Sequence, residues 1–174
     1  MTLGSLYITL LRLIHIFSAV TWIGGAIFMA SVIVPTVQAA GPEGGRFMMR
    51  MASFGRLSRV LNVSAILTTL AGLLLYYPTA GQFNSQWLRS AHGITLTLGA
   101  ITGIVTFLHG FLVTGRASTR MTVVANEIFA KQGPPAPEQL KEAQMLGAKL
   151  ASGAMLTAAM GSIALLLMAA AQTI

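Results

Sequence analysis

YITLLRLIHIFSAVTWIGGAIFMASVIV, residues 7–34, decides the fold. Apart from Arg12 and His15 the stretch is apolar or weakly polar throughout. An α-helix needs roughly 20 such residues to cross the hydrocarbon core, and a chain in lipid must bond its own backbone. Residues 7–34 therefore read as a transmembrane helix. The stretch is too long for a signal-peptide core, and Arg12 and His15 interrupt it, so it reads as a retained span. Residues 60–77, 92–114 and 146–170 repeat the pattern.

Composition points the same way. The 174 residues are 55 % hydrophobic and 9 % charged, whereas a soluble domain carries about a quarter charged residues. Mean hydropathy is +0.74. The absence of cysteine excludes disulfides, thiolate metal sites and iron–sulfur clusters. The net charge of +7 is distributed as a membrane requires, and it does not point to nucleic acid. Arg46, Arg50, Arg56 and Arg59 follow the first span. Arg116, Arg120, Lys131, Lys141 and Lys149 follow the third. Only Arg12 and Arg89 lie on the other side. The positive-inside rule puts both basic connections in the cytoplasm and both termini outside. The expectation is an all-α integral membrane protein: a single four-transmembrane-helix bundle over residues 1–174, in a bacterial cytoplasmic membrane.

Between the spans, Gly41-Pro42-Glu43-Gly44-Gly45 reads as a break, followed by a short basic amphipathic approach over residues 46–59. Tyr76-Tyr77-Pro78 and Trp87 read as interface anchors either side of the outer loop. Gly133-Pro134-Pro135-Ala136-Pro137 reads as extended and non-helical, with a helix opening at Glu138.

Two sites share one spacing, Arg12-Leu13-Ile14-His15 and Arg89-Ser90-Ala91-His92. Ionisable groups at membrane depth are rare and usually functional. Both helices run from outside to inside. His15 and His92 thus fall in the outer half, with Arg12 and Arg89 about 4–5 Å further out. Imidazole ligates haem iron and several other metals, and guanidinium binds carboxylate. The pattern fits one b-type haem, with His15 and His92 as axial ligands and Arg12 and Arg89 on the propionates. On a helical wheel, Arg12, His15, Ser18, Ala19, Trp22, Ala26 and Met29 form one stripe. His92, Leu96, Gly99, Gly103, Thr106 and Gly110 form another. Gly99 and Gly103 permit close approach, either by a second helix or by a porphyrin. The plainer alternative has the arginines snorkel to the interface and the histidines bond neighbouring helices. Ligation by both rings also requires them to be level, and His92 opens its apolar run whereas His15 lies inside its own.

His109 lies about 25 Å along the helix from His92 and cannot share its iron. It is a second-site candidate: a quinone or proton site, a second haem ligand opposite Met29, or a structural histidine at the interface. Met48, Met49 and Met51 raise a soft copper site, against the commoner use of Met as a gap-filler. The acidic residues Glu43, Glu127, Glu138 and Glu142 all lie in connections, which disfavours a proton pump built on an intramembrane carboxylate. Leu11-Arg12-x-x-His15 and Leu88-Arg89-x-x-His92 also suggest a faint duplication about an axis along the membrane normal.

His15-Ile16-Phe17-Ser18-Ala19-Val20-Thr21-Trp22-Ile23-Gly24-Gly25 resembles the first helix of the CopD/HemJ-like membrane proteins. Arg56-Leu57 and Leu70-Ala71-Gly72-Leu73 in the second span look similar, as do Trp87 ahead of the third span and His109 at its far end. The resemblance covers roughly residues 7–115. The grouping includes copper-resistance D domains, the HemJ-type protoporphyrinogen oxidase and short four-helix relatives. It implies a bundle binding b-type haem, with His15 an axial ligand. HemJ-type members usually have a Lys near the start of helix three, where this chain has His92. Their Asn-Glu-x-Pro in the last helix is absent here. The expected role is electron transfer with quinone, or service as a small haem subunit of a larger redox complex. Protoporphyrinogen oxidation, copper transport and a cofactor-free structural subunit are the alternatives, so enzyme status stays open. The expected surroundings are the lipid bilayer and a redox partner protein or larger complex, with self-association into a homo-oligomer also open.

Overall fold

The computed structural model describes residues 3–131 and 134–174, and all its regular structure is helical. Six helices follow in order. They are α1 (Leu3–Ala39), α2 (Gly41–Phe54), α3 (Arg56–Thr79), α4 (Ser85–Leu88), α5 (Ala91–Ala130) and α6 (Pro137–Ala171). Helices α1, α3, α5 and α6 are long and apolar enough to cross a membrane. The four apolar stretches read from the sequence lie within them.

The side chains are arranged inside out relative to a soluble bundle. Large apolar groups such as Leu13, Phe17, Leu70, Leu74, Leu98, Ile101 and Leu166 face outward, while the buried positions are mostly small: Ser18, Ala19, Ala26, Ala65, Ala71, Thr106, Thr157 and Ala164. Lipid tails solvate the large groups as well as a core would. Helix association then rests on close packing of small residues and interhelical hydrogen bonds. Gly161 of α6 shows how close: a Cβ there would lie 2.5 Å from Ile23 Cδ1 on α1.

The first half of α1 packs on α3, and α5 packs along α6; further along, α1 turns onto α6. Contacts between α3 and α5 are sparse, so two helix pairs meet along the α1–α6 seam. The basic residues of both connections gather at one end of the bundle, called here the basic end. Both described chain ends lie at the opposite, terminal end.

Two expectations about the connections change. The Gly-Pro run after the first span is not a break but the first turn of α2. Ala40 turns the chain, Gly41 adopts φ +57°, and Pro42 sits in the first helical turn, where a missing N–H costs nothing. The connection after the third span is far shorter than it reads. Helix α5 continues to Ala130, and α6 already opens at Pro137, its start held by the Gln139 side chain accepting from the Ala136 amide at 3.2 Å. Pro134–Ala136 are non-helical, as expected, and Gly133 lies outside the described residues.

The extensions build a small three-helix cap at the basic end. Met121, Val124, Ile128 and Ala143 form its core, covered by Met49, Ala52, Leu146 and Leu150. Gly55, at φ +61°, ends α2 and donates its N–H to Ala52 O at 3.0 Å; the Thr122 hydroxyl of α5 donates to the same carbonyl, also at 3.0 Å. The Arg50 guanidinium lies 4.2 Å above the Phe129 ring. Arg120 grips Glu142 with two bonds of 2.6 and 3.0 Å on the outer surface.

Candidate functional site

His15 lies half-buried on the seam between α1 and α3. Its Nδ1 is 2.8 Å from the carbonyl oxygen of Thr68. A carbonyl can only accept, so Nδ1 is the donor, which leaves Nε2 as the ring nitrogen that could act as a ligand. The ring rests against Gly72, where a Cβ would lie 2.8 Å from its Cε1. His92 repeats the bonding pattern elsewhere. Its Nδ1 is 2.6 Å from Ala171 O, at the last turn of α6, where helix carbonyls have no intrahelical partner. The Trp87 indole meets the His92 ring edge to face at 5.6 Å.

The two imidazoles therefore have separate neighbours, α3 for His15 and α6 for His92. Their heights differ as well. Thr97, five residues inward of His92, bonds the Tyr76 hydroxyl at 2.6 Å. A tyrosine on a helix leans toward the helix N-terminus, here toward the basic end, so Thr97 is roughly level with Gly72 and His15. His92 then stands on the order of 8 Å nearer the terminal end. Nothing in the fold brings the two rings to one point.

Arg12 and Arg89 are both exposed near the terminal end, and neither side chain shows a hydrogen bond or ion pair. Gly99 and Gly103 face α6. A Cβ on Gly99 would meet Met168 Cγ at 3.0 Å and Ala164 O at 3.3 Å, and one on Gly103 would lie 4.0 Å from Met168 Cε. Their stripe is covered by the fourth span. His109 is half-exposed on the flank of α5, with no hydrogen bond shown.

The structure draws attention to a different place. A half-open cavity of about 150 Å³ lies between the helices near the basic end. Trp22, Ala26 and Met29 of α1, Met48 and Met51 of α2, Leu61, Asn62 and Ala65 of α3, Phe107, Phe111 and Thr114 of α5, and Ala154 and Thr157 of α6 line it. Trp22 is buried and meets the Phe107 ring edge to face at 6.4 Å. The methionine cluster is thus divided, with Met48 and Met51 on the cavity and Met49 on the cap. His15, His92 and His109 are not on the cavity wall.

Three wide turns with i→i+5 bonding interrupt the spans, at Val20–Gly24 and Met29–Ile33 of α1 and at Gly110–Gly115 of α5. Each contributes to the cavity wall, through Trp22, Met29, and Gly110, Phe111, Thr114 and Gly115. Such turns are rare, cost helix regularity and occur often at functional sites. Sequence reading finds Trp22 and Met29 but misses Asn62 and Thr114. The available signal is the stripe Ser58-x-x-Leu61-Asn62-x-x-Ala65, which puts an amide inside an apolar span.

Among the described residues no three of His, Cys, Asp and Glu gather as a metal site. Comparison with known proteins gives no match to a family model, a curated protein or a solved structure.

Proposed function

We propose that this chain is a multi-pass haem protein of electron transfer in the bacterial inner membrane, with its basic end toward the cytoplasm. The observation that carries the reading is the bond from His15 Nδ1 to Thr68 O. Metal-ligating histidines characteristically donate their second ring nitrogen to a carbonyl or carboxylate, which fixes the tautomer and aims the other nitrogen. His15 has that arrangement in the middle of an apolar span. Gly72 leaves room for the ring, and Arg12 stands one turn further out, where a propionate would need a cation. His92 has the same Nδ1 bond, but it faces another seam at another height, so the reading rests on His15. Orientation follows from the clustering of Arg and Lys at one end.

Absorption spectroscopy of detergent-purified protein tests it. The wild type should show a Soret band and a reduced-minus-oxidised signal that His15→Ala abolishes and His109→Ala leaves unchanged. A colourless wild type, expressed with ample haem supply, refutes the reading and leaves His15 as a helix-to-helix bond.

A further inference from the structure

We propose that the cavity at the basic end binds a neutral, lipid-soluble ring compound of the quinone class. Its volume of about 150 Å³ is that of the apolar cavities that take up one benzene-sized ring. Trp22, Phe107 and Phe111 give it flat aromatic walls, and Met29, Met48 and Met51 give adaptable ones. A planar ring is the shape those walls pack best. No charged side chain lines the cavity; a charged ligand there would be buried without a counter-ion.

The polar groups call for a ligand with hydrogen-bond acceptors. Asn62 and Ser58 stand on α3, and Thr114 on α5. Thr68, Thr69, Thr97, Thr102 and Thr106 all donate their hydroxyls back to the carbonyl four residues earlier. Thr114 does not. It sits in the wide turn Gly110–Gly115, where the ordinary spacing is lost. Its Oγ1 is buried without a hydrogen-bond partner, the one such side-chain atom found among the described residues. That hydroxyl packs on α6, in contact with the place a Cβ on Gly153 would take, and so turns away from the cavity. Asn62 instead lines the cavity with no side-chain hydrogen bond shown, and its amide N–H can donate to a ligand carbonyl. The sparse contact between α3 and α5 gives an aliphatic tail its route into the lipid. This site does not depend on the haem, because His15 is not on its wall.

Trp22 provides the readout. In Trp87→Phe protein it is the sole indole. A benzoquinone bearing a saturated alkyl tail is titrated into that protein in detergent, with Trp22→Phe protein as the control for quenching outside the cavity. The expected result is saturable quenching of Trp22 and a linear, unsaturable response in the control. Ala154→Leu fills the cavity and should weaken binding by about tenfold or more. Asn62→Leu removes the amide at similar size and should weaken it about three- to tenfold, as loss of one hydrogen bond does. Gly110→Leu is a second filler if Ala154→Leu does not fold, since a Cβ at Gly110 meets nothing within 4 Å. Linear quenching in the sole-indole protein, or saturable quenching that folded filler variants leave unchanged, overturns the proposal. The haem spectrum, read on the same samples, fails or survives independently.

Discussion

Gly72→Ala places one methyl group where the His15 imidazole now rests. The new Cβ would lie 2.8 Å from His15 Cε1 and 3.1 Å from Nδ1. Carbon atoms pack at about 3.5–4.0 Å, so the ring must retreat by about 0.7 Å or more. Its Nδ1 starts 2.8 Å from Thr68 O, and that retreat carries it to the limit of a hydrogen bond. Overpacking costs about 1–3 kcal/mol and the lost bond about 0.5–1.5 kcal/mol. Against this, Ala in a helix is better than Gly by about 0.5–1 kcal/mol. The net expectation is a loss of about 1–3 kcal/mol, or about 3–8 °C in melting temperature for a chain of this size. Thermal unfolding in detergent, followed by the fluorescence of Trp22 and Trp87, measures it. A double-mutant cycle isolates the cause. In His15→Ala protein the space is free, and Gly72→Ala should be neutral or stabilising. Equal destabilisation in both backgrounds would refute the geometry of the seam.

Two further outcomes are expected. His92→Ala removes the donor on Ala171 O, so the last turn of α6 should fray, and hydrogen exchange of its amides should rise about fivefold for a bond worth about 1 kcal/mol; unchanged exchange would show that the ring does not hold that helix end. Arg120 holds the Glu142 carboxyl below its ordinary range, chiefly by the hydrogen bond between them; burial opposes this, and the charge of Arg120 adds a smaller lowering. A carboxylate depressed in the folded state stabilises the cap above the ordinary glutamate range and loses that contribution as acid protonates it. The pair is exposed, so the effect should be small. Circular-dichroism melts should lose stability toward acid pH, and Glu142→Gln should remove that part of the slope.

The sequence shows much of this bundle because the lipid leaves few choices. An apolar run of that length reads as a helix, and of the wheel stripe, Ser18, Ala19, Trp22 and Ala26 are buried, His15 and Met29 partly buried and Arg12 exposed. A wheel gives the face of one helix but not what lies opposite. Gly99 and Gly103 look the same on a wheel whether they admit a porphyrin or Met168. The shared Arg-x-x-His spacing could not reveal that one histidine meets the middle of α3 and the other the end of α6. The wide turns are also hidden: Met29–Ile33 contains no glycine or proline, and the other two carry only glycines that a regular helix also tolerates in a membrane. The connections misread for a clearer reason. Gly41 and Pro42 are breakers inside a helix but natural starters at its first turn, and the polar surface of residues 116–130 reads as loop unless its apolar stripe Met121, Val124 and Ile128 is recognised.

Helix α5 is 40 residues long, about 60 Å of rise, roughly twice the depth of the hydrocarbon core. One rod therefore lives in two solvents. Its apolar half is held by neighbours that hydrocarbon cannot unseat. Its polar half stands on Met121, Val124 and Ile128 in water, where a denaturant excluded from detergent can reach them. Unfolding of this chain should accordingly be two events on a single helix, with the aqueous post dissolving first and the embedded stem persisting.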